Sequence, residues 1–287
     1  MDHFMEIQPQ EQKGSNFFQA NDLAFHTHSM RLLSGKAETF FLGEPMALQT
    51  KNVKFTAEKT DLQGYLAWND DQDGTRPAVL VFPEWWGLND YIKKRAEQLA
   101  SLGYLAMGVD MYGNGKTADH PEEAGSLMNG VLRDLKLLKS RVEAAYQSLR
   151  NEGLADPNRM GAIGYCFGGA LVLNMARFGM DLQAVVSFHG ALDSMQKPSP
   201  GEVKAKILVC HGAADEFIPE EAIVNFKKEM EEASADYEFV DYQGALHGFT
   251  NPAADERGKA FNLPLAYDEN ADRQSWQAME SHFKKMF

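Results

Sequence analysis

Arg159-Met-Gly-Ala-Ile-Gly-Tyr-Cys-Phe-Gly-Gly-Ala170 reads as a buried strand, a tight turn and the start of a helix. Met160, Ala162 and Ile163 form the short apolar run of the strand. Ala170, Leu171, Val172, Leu173, Met175 and Ala176 continue as an apolar helix. Between them Gly164-Tyr-Cys-Phe-Gly168 spells G-x-C-x-G, a nucleophile elbow with cysteine in the place of serine. A nucleophile on a strained turn needs small neighbours, which explains the glycines. The helix that follows offers free N–H groups and partial positive charge beside the sulfur. An unperturbed thiol has a pKa near ~8.5, so a nucleophilic cysteine needs such help at neutral pH. The competing reading makes Cys166 a small, inert core residue between close-packed glycines.

Outward from the elbow, strands alternate with helices. Before it come strand-like Val53–Phe55 and Leu62–Trp68, a polar turn over Asp70–Gly74, and the continuous apolar strand Ala78–Phe82. A helix is expected over Asp90–Leu102, ended by Gly103, then a strand over Tyr104–Val109. Pro121–Leu149 is mostly helical, and Asp156-Pro157 turns the chain into the elbow strand. After the elbow come strands at Ala184–Phe188, Ile207–Cys210 and Tyr237–Tyr242. Helices are expected over Pro219–Ala233 and Asp272–Phe287. Continuous apolar strands separated by helices predict an α/β fold with a mostly parallel sheet covered on both faces.

In such sheets the site lies at the C-terminal ends of the strands. The Pro83–Asn89 loop is where this architecture supplies a second oxyanion donor, so the Trp85 N–H pairs with the Phe167 N–H. Trp86 is a candidate pocket wall, and Asp110–Gly115, with Tyr112, is a second ligand-facing loop. A thiol nucleophile needs a base, and the base an orienting carboxylate. In α/β-hydrolases the chain order is nucleophile, acid, histidine, which Cys166, Asp215 and His247 satisfy. Asp193 is the alternative acid, and His189 and His211 are the alternative bases. Three histidines at strand ends also raise zinc, but no Cys or carboxylate spacing supports a site. Cys210, inside an apolar strand, reads as core.

The chain has 287 residues and a formal net charge of −13, which argues against nucleic acid and anionic membrane surfaces as partners. Two cysteines suggest no disulfide framework. No apolar run is long enough to span a membrane, and no secretory leader is legible, so the expected location is the cytoplasm. No metal or cofactor is expected, and the sequence leaves the oligomeric state open. The compact domain is expected over residues 51–287, with residues 1–50 a partly flexible extension. His26 and His28 in that extension could pair on a metal, but an exposed segment is the simpler reading.

These residues resemble the dienelactone hydrolase family of the α/β-hydrolase fold. Gly164-Tyr-Cys-Phe-Gly-Gly169 carries the resemblance, because a cysteine elbow is unusual in that fold. Glu84-Trp-Trp-Gly-Leu-Asn89, Asp215 and His247-Gly-Phe249 add to it. The resemblance implies a Cys166–His247–Asp215 triad and a Glu84 that stands near the thiol and helps control its ionisation. It also implies two arginines for a substrate carboxylate. Here Asn114 and Asn251 occupy those places. An asparagine neither neutralises a carboxylate nor grips it bidentately, so hydrolase chemistry carries over better than dienelactone specificity.

The expected activity is hydrolysis of an ester or enol-lactone through a covalent thioacyl-enzyme. Two rivals stay open. One is a binding or redox-responsive thiol protein that uses the same pocket. The other is a different enzyme on the same site, such as a transferase or a peptidase-like hydrolase.

Overall fold

The computed structural model describes residues 48–70 and 73–287. The expectations for His26, His28 and nearly all of the N-terminal extension lie outside the described residues, as do two residues of the Asp70–Gly74 turn.

The described residues form one sheet of eight strands: β1 (Leu48–Ala57), β2 (Thr60–Asn69), β3 (Arg76–Phe82), β4 (Leu105–Val109), β5 (Ala155–Tyr165), β6 (Ala184–Phe188), β7 (Lys206–Gly212) and β8 (Tyr237–Tyr242). Their spatial order is β1-β2-β4-β3-β5-β6-β7-β8. β1 pairs antiparallel with β2, and β2 antiparallel with β4. From β4 to β8 every pairing is parallel. The continuous apolar strands are buried on both sides, as their composition requires.

Successive residues point to opposite faces, so each strand feeds two cores. Leu80, Met107, Ala162, Val185 and Val209 pack toward helices α2 (Pro121–Leu132), α3 (Leu135–Arg150), α4 (Phe167–Arg177) and α5 (Glu220–Glu232). Val81, Ala106, Ile163, Val186 and Leu208 pack toward α1 (Asp90–Ser101) and α7 (Glu269–Lys284).

Three local details differ from the sequence reading. The expected helical stretch Pro121–Leu149 is two helices, because the Asp134 side chain caps the amides of Lys136 and Leu137 and restarts the helix. Asp156-Pro157 is not a turn ahead of the elbow strand. It belongs to a bulge within β5, where the pairing with β3 jumps from Ala155 to Met160. The short α6 (Ala254–Phe261) is not expected from the sequence. It buries only Ala254 and Gly258, so it has no apolar stripe to read.

From β3 the chain moves to β4 on one side, while β5 lies on the other side. At such a switch point the loops after the two central strands part and open a crevice. The loop after β3 and the elbow after β5 therefore flank one place.

Candidate active site

Cys166 sits between β5 and α4 with φ 52 and ψ −112. A non-glycine residue in that region costs on the order of 1–3 kcal/mol and persists only where its surroundings hold it. They do so here. The Cys166 N–H donates to Phe188 O at 3.0 Å, and the Ala170 N–H donates to Cys166 O at 3.1 Å. The Gly168 N–H reaches across the crevice to Pro83 O at 2.8 Å, which ties the elbow to the loop after β3.

The glycines of the motif are required by contact. A Cβ on Gly164 would lie 2.0 Å from Gly168 O, and one on Gly168 would lie 2.3 Å from Phe82 O. Both neighbours are backbone and cannot rotate away. Gly164→Ala is therefore expected to destabilise the protein by about 3 kcal/mol, the upper end of the usual cost of overpacking, read as a fall in the urea unfolding midpoint. An unchanged midpoint would mean that the turn relaxes freely.

Histidine and acid arrive from the loops after β8 and β7. His247 Nδ1 and Asp215 Oδ2 are 2.7 Å apart, and both residues are buried. The Phe217 N–H donates to the other Asp215 oxygen at 2.9 Å. Burial opposes a charge on His247. The nearby Cys166 sulfur and the Asp215 carboxylate outweigh it and carry the imidazole well above its ordinary value. Cys166 lies within hydrogen-bonding reach of the same ring. The nucleophile candidate, the histidine and the acid thus stand together at one edge of the sheet.

Of the alternatives, His189 stays beside this group, its ring edge-on to His247 with centroids 5.2 Å apart, while Asp193 and His211 stand apart from it. Asp193 is exposed, and its carbonyl, not its carboxylate, takes bonds from Asn174 and Arg177. His211 packs on Phe239 with ring centroids 5.6 Å apart. Cys210 is fully buried, and burial pushes its thiol up to about 12. Among the described residues no cluster of three or more His, Cys, Asp or Glu side chains could hold a metal ion.

The crevice walls are held from both sides. The Tyr112 hydroxyl donates to Trp85 O at 2.8 Å, and its ring stacks on Phe167 at 6.1 Å. One side chain therefore braces both residues whose N–H groups are the oxyanion candidates. Neither of those amides has a hydrogen-bond partner among the described residues. Burial pushes the Tyr112 phenol up, and the proximity of Cys166 adds to the shift. Asp110 shapes this loop by accepting from the amides of Tyr112, Gly113 and Gly115.

Glu84 is buried, and burial raises its carboxyl against the pull of Asn251, Arg257 and His247. Asn251 donates to Glu84 Oε2 at 2.6 Å and accepts from the Ala253 N–H. Its amide is engaged by the protein itself. Asn114 is exposed and adopts φ 56, with its N–H on Asp61 O. Trp86 is 2% exposed and carries the Arg257 guanidinium over its ring at 4.0 Å.

Sequence reasoning does not find Tyr91, Arg95 and Thr250, which join the histidine loop to α1 and α7. The Arg95 guanidinium donates to Thr250 O and to Asp272, and Tyr91 and Thr250 share a hydroxyl contact of 2.7 Å. One signal is legible: Arg95 is a cation on the apolar face of α1, beside Ile92, Ala96 and Leu99.

Comparison with known proteins places the fold and the family. The profile of the dienelactone hydrolase family matches residues 62–287. A protein of Aquifex aeolicus, provisionally named a carboxymethylenebutenolidase, is 27% identical over 237 residues, covering 81% of this chain and 96% of its own. A Bradyrhizobium protein, provisionally named a 2-oxo-3-(5-oxofuran-2-ylidene)propanoate lactonase, is 32% identical over 193 residues, covering 61% of this chain and 74% of its own. The crystal structure of a dienelactone hydrolase-like promiscuous phosphotriesterase from metagenomic libraries is similar at 35% identity and TM-score 0.78. It covers 84% of this chain and 99% of its own. No helix among the described residues is long and apolar enough to cross a membrane. With the match running from β2 to the C-terminus, and the eight-stranded sheet and its elbow in place, this chain belongs to the dienelactone hydrolase family of α/β-hydrolases, enzymes of the ester- and lactone-hydrolase type.

Proposed function

We propose that the chain cleaves an ester or enol-lactone through a covalent thioacyl-enzyme on Cys166. The observation that carries this reading is the strained Cys166 backbone beside a histidine fixed at 2.7 Å by a buried carboxylate. His247 takes the Cys166 proton as the sulfur attacks the carbonyl carbon. The C–S bond forms, and the carbonyl electron pair moves onto oxygen. The amides of Trp85 and Phe167 receive that charge, an effect worth roughly 3 kcal/mol per donor. The pair returns to re-form C=O, and the leaving oxygen departs with the proton from His247. Water then attacks the thioester as His247 takes its proton, the C–S bond breaks to release the acid, and the proton passes from His247 to the Cys166 sulfur. Asp215 holds the imidazole in the useful tautomer and stabilises its charged form. Glu84, held by Asn251, lies near enough to His247 for the two charges to interact.

The substrate reading is a neutral ester, lactone or thioester. Asn251 and Asn114 are neutral amides and offer no charge to a carboxylate, and the Asn251 amide is already bound to Glu84. An enol-lactone leaves as a stabilised enolate and suits a thiolate, which expels basic alkoxides poorly.

Acid-quenching the enzyme during turnover of p-nitrophenyl acetate and measuring its intact mass tests the covalent step. One acetyl group is expected, and peptide mapping places it on Cys166 and not on the buried Cys210. Rapid alkylation of Cys166 with no acylation and no turnover would instead support the redox-responsive reading.

A further inference from the structure

His189 is the residue of the site that the mechanism leaves without a role. It follows β6, is fully buried and adopts φ 40. Its Nδ1 lies 3.2 Å from the Cys166 amide, which also points at Phe188 O. A backbone amide only donates, so Nδ1 carries a lone pair and the ring proton is on Nε2. That Nε2–H donates to Thr250 Oγ1 at 2.7 Å. Thr250 belongs to the same loop as His247 and is itself fully buried. Its hydroxyl meets Tyr91 at 2.7 Å, and Arg95 Nε donates to the Tyr91 oxygen at 3.4 Å. The His189 ring also stands edge-on to His247, with centroids 5.2 Å apart.

We propose that His189, oriented by Thr250, is a positioning residue that fixes the nucleophile elbow and the histidine loop relative to each other. One imidazole touches both halves of the machinery. On one side it accepts from the amide of the strained Cys166. On the other it donates to the loop that carries His247, and Tyr91 and Arg95 anchor that loop to α1. The two loops leave different strands, so nothing in local backbone geometry sets the Cys166–His247 separation. A cross-link of fixed length does. Both bonds require the neutral Nε2–H form, because a proton on Nδ1 would face the Cys166 N–H donor. Burial and the charge on His247 hold His189 well below its ordinary value, in keeping with that form.

Three measurements test the proposal, which rests on Cys166 being the nucleophile. The first is ¹⁵N NMR of the histidine side chains in the native full-length chain. At neutral pH His189 is expected to have Nδ1 bare and Nε2 protonated. A protonated Nδ1 would overturn the cross-link and needs no variant to be seen. The second is Thr250→Val, which keeps the shape and deletes the hydroxyl. The expected result is a loss in kcat of at least about tenfold with KM within about twofold, because misplacement acts on the reacting geometry and not on binding. The third is Thr250→Ser, which is expected to recover most of the loss. Folded Thr250→Val with wild-type kcat, or a serine variant no better than the valine one, would reduce Thr250 and His189 to structural roles. Turnover that survives in Cys166→Ala would sink the thiol mechanism instead, and leaves the tautomer result to be judged separately.

Discussion

Cys166→Ala is expected to lower kcat/KM for an activated ester by at least about 10³-fold while leaving the fold intact. The residual rate reflects binding and the proposed oxyanion donors, the Trp85 and Phe167 amides, which the substitution does not touch. The fold survives because the side chain contributes no hydrogen bond to the elbow. The bonds that hold the turn come from the Cys166 amide and carbonyl, which alanine keeps. Alanine also tolerates φ 52 no worse than cysteine, since both carry one Cβ. The check is a side-by-side assay of freshly reduced wild type and variant, with a thermal melt to confirm folding. A Cys166→Ala protein that retains a tenth or more of the rate would remove the thiol from the mechanism.

Asp215→Asn is the second large effect, expected to reduce kcat by roughly 10²–10⁴-fold with KM little changed. The Asp215 side chain is fully buried and lies against His247 Nδ1 at 2.7 Å. A carboxylate there accepts only, so Nδ1 must hold a proton and Nε2 is left free to receive one from Cys166. An asparagine amide can donate to Nδ1, which places the ring proton on Nε2 and closes the path. The imidazolium also loses its counter-charge, so the raised basicity of His247 falls. Its proton transfer from Cys166 weakens with it. Iodoacetamide should therefore alkylate Cys166 more slowly at neutral pH in the variant, and the gap should narrow as alkaline pH ionises the thiol directly. Equal alkylation rates at neutral pH would mean that Asp215 has no hold on the histidine.

The contrast between Asp215 and Asp193 shows where sequence reasoning stops. Both follow a His-Gly-Ala pattern at the end of a strand, and their local contexts are nearly alike. Spatial order separates them. β7 lies beside β8, which carries the His247 loop, whereas β6 lies one strand further away.

Pattern alone determined the α/β class and the strand, turn and helix around Cys166, and it singled out Cys166, Asp215 and His247 as the proposed nucleophile, acid and histidine. These are local properties: an apolar run buried on two faces, small residues around a tight turn, a loop after each strand. Each is written into consecutive residues, because the periodicity of a strand or helix is set by its own backbone. The tertiary structure alone decided what meets across the crevice. Tyr112 bracing Trp85 and Phe167, Asn251 engaged by Glu84, and His189 joined to Thr250 all connect residues far apart in the chain. A hydrogen bond between distant residues depends on strand order and on the direction of each side chain, and neither leaves a periodic trace in the sequence.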